Sequence, residues 1–278
     1  MTHGLFLCTI KGTKTNREEP ASTMGFRYLN QIASKEHIAE FLELADLAAG
    51  GGESASNVFE LSRRITGNPM VVCERKLKQD PAAAALIKQR RLSGPYNVEA
   101  MKQLPKGSLG HTYAKVMEAM GYDIDFFPDP AFYNNLESDA DYINYRVYAT
   151  HDLHHILSGF SLDNFGEIGV VSISVSQFSF PGFLFLDLVS LMLSFFQTDK
   201  LDEEFTNDLE RAGSIGYSFD LITQGMNMGI KAKPLFPIIW EERMADNLDD
   251  LRIELGIEPV REGPYSWYSN AVIQDALS

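Results

Sequence analysis

At 278 residues, 45% hydrophobic and 22% charged, the chain is long and apolar enough to bury one large core, and its composition does not fit a disordered protein. A formal charge of −14 sets it against polyanions, which excludes nucleic acid as a partner. The sequence has no polybasic patch, so contact with an anionic bilayer would have to come from exposed apolar side chains.

The amino terminus, MTHGLFLCTIKGTKTNREEP, has neither the apolar core of a secretory signal nor the Arg-rich, acid-poor character of a transit peptide, and cytoplasm is the default expectation. Cys8 and Cys73 lie far apart without metal-type spacing and read as ordinary thiols of a reducing compartment. Ser34 is a candidate N-cap for a helix over 35–49, in which Ile38, Phe41, Leu42, Ala45 and Leu47 recur at helical spacing and Gly50 to Gly52 end the run. Further helices are predicted over 55–65, 70–79 and 81–91, the last with Asp80 as cap and Pro81 in the first helical position. Another is expected from about Leu109 to Met120, and the segment DIDFFPDPAFYNNLE after it reads as a loop. No linker or internal repeat divides the chain, so residues 1–30 are taken as an extension and 31–278 as one domain.

Three of the six histidines fall within HDLHH at 151–155. Ser138, followed three residues later by Asp141, has the spacing of a capping box, and a helix over about 139–158 follows with Gly159 as terminator. On it His151 and His155 are at i and i+4, so their imidazoles share a face and can grip one ion. His154 and Asp152 each lie about 100° around the axis from a member of that pair; Asp152 can reach in or orient a ligand. A second helix starting near Asp163 or Asn164 puts Glu167 in its first turn, where the helix dipole favours a carboxylate. Two histidines with one or two carboxylates suit Zn, Mn or Fe(II), and the spacing does not choose among them. HDLHH also has the outline of the zinc-protease helix, but Asp152 is one methylene shorter than the glutamate base of that motif.

The stretch 169–196 has 28 positions and one charge, Asp187. Pro181-Gly182 splits it into halves of 12 and 14 residues, each too short for the ~20 of a bilayer-crossing helix, so it is expected to be core, with 183–196 a packed helix beside a lipid tunnel and Asp187 hydrogen-bonded. Taken alone, VVSISV would suggest a strand. Lys231, Lys233 and Arg243 are candidate contacts for an anionic head group, though surface charge is their simpler role.

The order His-Asp-x-x-His, eleven residues, then Glu, filled by His151, Asp152, His155 and Glu167, resembles the motif of the fourth Coq protein family of ubiquinone biosynthesis. The likeness extends to LPKGSLGHTYAKVM (104–117), DADYINYRVYATHDLHHILSGF (139–160) and ITQGMNMGIKAKPLFPIIWEERMADNLDDLRIELGI (222–257). Arg146 is similar to a family position; Tyr148, Ala149 and Thr150 stand where the family commonly carries Arg-Glu.

The resemblance implies an all-α fold, a single multi-helix domain with a central apolar cavity. It also implies a divalent metal on the four motif residues, zinc first and Mg, Mn or Fe as alternatives, and Arg146 as a substrate contact. The ligand it implies is a prenylated quinone precursor or isoprenoid lipid. The implied activity is oxidative decarboxylation of a prenylated hydroxybenzoate; the alternative is a non-enzymatic scaffold that organises other quinone-biosynthesis proteins. Peripheral membrane contact and homo-oligomerisation are expected with either.

Overall fold

The computed structural model describes residues 31, 33–49, 56–121, 127–196 and 214–278, in two units, Met1–Leu42 and Glu43–Ser278. The proposed extension 1–30, Cys8, the glycines at 50–52 and residues 123–126 of the expected loop lie outside the described residues.

Of the first unit the structure describes the start of α1 (Lys35–Ala49), where the Ser34 hydroxyl accepts from the His37 amide at 3.2 Å as the cap spacing predicts. Phe41 and Leu42, counted into the apolar stripe by sequence, are exposed at 40% and 57%.

The second unit continues α1 and adds α2 (Ser56–Arg64), α3 (Asn68–Leu77), α4 (Pro81–Gln89), α5 (Val98–Met101) and α6 (Leu109–Met120). It is completed by α7 (Asp139–Ser158), α8 (Asn164–Phe178), α9 (Pro181–Phe196), α10 (Ser214–Lys231), α11 (Leu248–Leu255) and α12 (Ala271–Leu277). There is no strand among the described residues, only the isolated antiparallel bridges Ser108 to Asn247 and Phe160 to Ser266. The fold is all-α.

Local chemistry sets most of the helix starts. The Asp80 carboxylate accepts from the Ala82 and Ala83 amides at 2.7 and 3.1 Å, and Ser108 accepts from His111. Ser138 and Asp141 satisfy each other's amides in the expected capping box, at 3.1 and 3.0 Å. Gly159 ends α7 at φ +82°, where an added Cβ would stand 2.3 Å from the Val260 carbonyl oxygen.

Helix α7 is buried on nearly every side and runs between two cores. Tyr142, Ile143, Tyr145 and Val147 pack with Tyr133, Phe178, Phe180 and Phe183; Leu153, Ile156 and Leu157 pack with Leu109, Val116, Trp240 and Trp267. Helix α8 lies between the same two clusters and against α10, with Gly225 and Gly229 of α10 so close that Cβ atoms there would come within 2.0 Å of the Gly169 oxygen and 2.1 Å of Ser176 Oγ.

Other expectations change. VVSISV is helical, because its serines and valines are buried between neighbouring helices rather than paired along a strand. Part of the expected loop winds into a 3-10 turn over Pro130–Leu136, with Asn134 and Asn135 in the left-handed region. Helix α9 begins at Pro181, so the Pro-Gly pair starts it, and it is buried on one face only: Phe183, Phe185, Asp187 and Val189 point in, while Leu184, Leu188, Phe195 and Phe196 are exposed. Asp187 has its partner, the Ser172 hydroxyl, which reaches both carboxylate oxygens at 3.2 and 3.0 Å.

Candidate metal centre

His151 and His155 project from the last two turns of α7, and Glu167 from the first turn of α8, so one helix end and the next helix start bring the three together. The Nε2 atoms of the two histidines stand 3.2 Å apart, and the Glu167 carboxylate meets them at 2.7 Å (His151) and 3.1 Å (His155). One donor atom from each residue lies within 4.8 Å of the others. Tetrahedral coordination with metal–nitrogen bonds of about 2.0–2.1 Å sets nitrogens roughly 3.3 Å apart, so the imidazole pair already has the separation one ion demands.

The two imidazole rings stand nearly perpendicular, at 89°, with their centroids 4.9 Å apart. His155 Nδ1 lies 3.4 Å from the Phe160 carbonyl oxygen, the contact that leaves Nε2 as the ligand atom. His151 Nδ1 is buried with no hydrogen-bond partner among the described residues, and the His151 and Phe183 ring centroids lie 5.3 Å apart. The side chains of His155 and His151 are 1% and 12% exposed, that of Glu167 41%, so the site opens on the Glu167 side.

The electrostatics bind the three into one unit. Loss of water would raise the Glu167 carboxyl, but the charges and hydrogen bonds of His151 and His155 outweigh it and hold the group well below the usual carboxylate range. Burial disfavours a charged His155, yet Glu167 beside it raises its pKa above the ordinary histidine value. Two nitrogen donors and one carboxylate, from two capped helices in a partly open pocket, fit a transition-metal cation.

Asp152, the fourth residue of the sequence motif, is not among the three converging donors. It projects about 100° away around α7, where burial and the nearby Glu167 raise its carboxyl against the opposing pull of the two histidines. His154 also stays out: buried, with its ring 6.1 Å from Trp240, it is pushed down to about 3 by burial and by the neighbouring His151, His155 and Arg146, and is neutral.

Arg146 is 1% exposed and gives Nε to the Phe236 oxygen, Nη1 to Ser93 Oγ and Nη2 to the Ile238 oxygen, which makes it an anchor for the 236–238 segment. Arg243 is likewise engaged, with Glu254 and Asp246. Neither the Phe160 carbonyl nor the aromatic wall of Tyr148 and Phe183, whose rings are 5.4 Å apart, could be read from the residue order, because chain spacing does not report such packing.

A family model described as coenzyme Q (ubiquinone) biosynthesis protein Coq4 matches residues 32–261. "Ubiquinone biosynthesis protein COQ4, mitochondrial" of Clavispora lusitaniae is 28% identical over 209 residues, 74% of this chain and 60% of that protein. The COQ4 homolog of Danio rerio, also named mitochondrial, is 27% identical over 228 residues, 78% of this chain and 77% of its own. The matched part spans only 53% of a further fungal relative, from Scheffersomyces stipitis. A crystal structure of a candidate ubiquinone biosynthesis protein from Nostoc punctiforme PCC 73102 has the same fold, with a TM-score of 0.64 at 23% identity over 79% of this chain and 95% of that one. These eukaryotic relatives are named mitochondrial where the sequence suggested cytoplasm, and no helix among the described residues is long and apolar enough to cross a membrane. With the family model covering residues 32–261, the chain belongs to the coenzyme Q (ubiquinone) biosynthesis protein Coq4 family.

Proposed function

We propose that the protein serves ubiquinone biosynthesis by holding a divalent cation on His151, His155 and Glu167, with Asp152 as a nearby second carboxylate, and by bringing a prenylated aromatic precursor or isoprenoid lipid to it. The observation that carries this reading is the convergence of two imidazole nitrogens and one carboxylate within 4.8 Å, in a chain of the Coq4 family. Zinc heads the fitting ions, with Mn or Fe(II) close behind; Mg, which prefers oxygen ligands, fits this donor set less well.

When bound, an ion with open positions supplies Lewis acidity toward a ring carboxylate or phenolate oxygen. The residues have separate tasks. His155, oriented by the Phe160 carbonyl, keeps Nε2 directed at the site, and Glu167 holds negative charge on the open side, where the aromatic head group would enter. Phe183, its ring 5.3 Å from that of His151 and 5.4 Å from that of Tyr148, sets an aromatic surface beside the site. An apolar cavity for the prenyl tail among these helices, contact with other quinone-biosynthesis proteins and peripheral docking at a membrane belong to the same reading. The reaction class it assigns is oxidative decarboxylation, in which a ring carboxyl would leave as carbon dioxide, a hydroxyl from water would take its place, and dioxygen would accept the two electrons and two protons as hydrogen peroxide.

Mass spectrometry of organic extracts tests the ligand half. Freshly purified protein should carry an isoprenoid or prenylated aromatic that Glu167→Ala loses; a protein that is empty and leaves added prenylated hydroxybenzoate unbound contradicts the reading. Incubation of that compound with metal-loaded protein under dioxygen tests the chemical half, since binding without turnover reduces the role to a lipid-holding scaffold.

A further inference from the structure

The carbonyl groups that end α7 are all met by a distant part of the chain. Arg252, 2% exposed, gives Nε to the Leu157 oxygen at 2.9 Å and Nη2 to the Ile156 oxygen at 2.6 Å. The Val260 amide donates to the Ser158 oxygen at 2.8 Å and the Trp267 amide to the Gly159 oxygen at 3.0 Å. The Trp267 indole Nε1 donates to the main-chain oxygen of His155 itself at 2.9 Å. Helix C-termini leave most such oxygens to water or a glycine cap; the His155 oxygen also accepts from the Gly159 amide at 3.0 Å, so the indole is its second donor.

The same segment also pairs with the residues that face the His155 side chain. Phe160 is bridged to Ser266, and the Ser161 amide donates to the Tyr265 oxygen at 2.8 Å, so residues 159–161 lie paired along 265–267. That pairing fixes the Phe160 carbonyl, the group that faces His155 Nδ1. It also fixes the short connection from Gly159 to the Asp163 cap of α8, and hence the placement of Glu167 relative to His155. The Ser266 hydroxyl, bonded to the Val260 oxygen at 2.6 Å, ties the segment to the rest of the strap.

We propose that the carboxy-terminal strap, centred on Trp267 with Tyr265 and Ser266, is a positioning element of the metal centre that sets the orientation of His155 and its separation from Glu167. Residues 265–267 lie beyond the family match, which ends at 261, so this assigns part of the site to a stretch outside that match. The inference rests on the metal reading above, and its ligand class is the same divalent cation.

The test is metal affinity of the full chain, measured with Zn and Co(II) against a chromophoric chelator, together with the visible spectrum of the Co(II) form. Trp267→Phe keeps an aromatic ring and removes the N–H that holds His155; it should weaken binding about tenfold or more and alter the Co(II) spectrum, the scale on which outer ligand contacts act. Ile273→Val, a truncation in the neighbouring core that leaves every strap bond in place, should retain native affinity and spectrum. If Trp267→Phe does not fold, Ser266→Ala loosens the same strap without touching a large side chain and is judged by the same two readouts. Native affinity and an unchanged spectrum in a folded strap variant overturn the proposal. A native protein that binds neither ion overturns the metal reading instead, and the strap proposal with it.

Discussion

Asp187 is one carboxylate in an apolar helix, and its environment turns it into a measurable pH response. Burial pushes its carboxyl up to about 7, and the Ser172 hydroxyl opposes that only in part. The folded pKa therefore exceeds the unfolded one, so the folded state binds the extra proton and stability falls as pH rises from about 4 to about 7. Asp187→Asn, which can still accept from Ser172, escapes that dependence. Urea denaturation should show its advantage over the native protein growing between pH 4.5 and pH 8 by a few kcal/mol, at about 1.4 kcal/mol for each pH unit that separates the folded from the unfolded value; parallel stability curves would show that the charge is not penalised. At this scale His151, His155 and Glu167 were legible in the sequence, because i, i+4 spacing and a helix-start carboxylate are local facts. The contacts of Arg146 were not legible in the same way: a cation near a motif says nothing about the carbonyls 90 and 92 residues away that accept from it.

Among the elements, the contact of α8 with α10 bears most directly on the site, since α8 carries Glu167 two residues before the glycine that α10 presses against. Gly225→Ala would bring a methyl group to 2.0 Å from the Gly169 oxygen, which the backbone relieves only by moving a helix. Overpacking of that kind costs about 1–3 kcal/mol, read as a lower denaturation midpoint, whereas an unchanged midpoint would mean that the two helices slide apart freely. At the other end of α7, Ser138→Ala should lose about 1 kcal/mol of stability through the capping box, checked by the same melts. Helix boundaries at Ser34, Asp80, Ser138, Asp163 and Gly159 were readable because caps are written in neighbouring residues. Which face of α9 turns inward was not, since large apolar residues occur on all its sides and only its neighbours decide that Phe183 and Asp187 are covered while Leu184 and Leu188 are not.

Over the whole molecule, a chain with net charge −14 gathers two imidazoles and a carboxylate where two helices meet. The centre depends on segments remote in sequence: α7 and α8 supply donors, while residues 252–267 close the carbonyls at the end of α7. Those long connections are invisible to any pattern of spacing, because a 2.9 Å bond between residues 155 and 267 leaves no local signature. The proposed cation would give these parts a common purpose, and elemental analysis of the purified full chain beside the double variant His151→Ala with His155→Ala tests it most directly. About one tightly held divalent ion per native chain is expected and none on the variant, with circular dichroism showing both folded. A folded double variant that retains the native metal content would contradict the assignment of the centre.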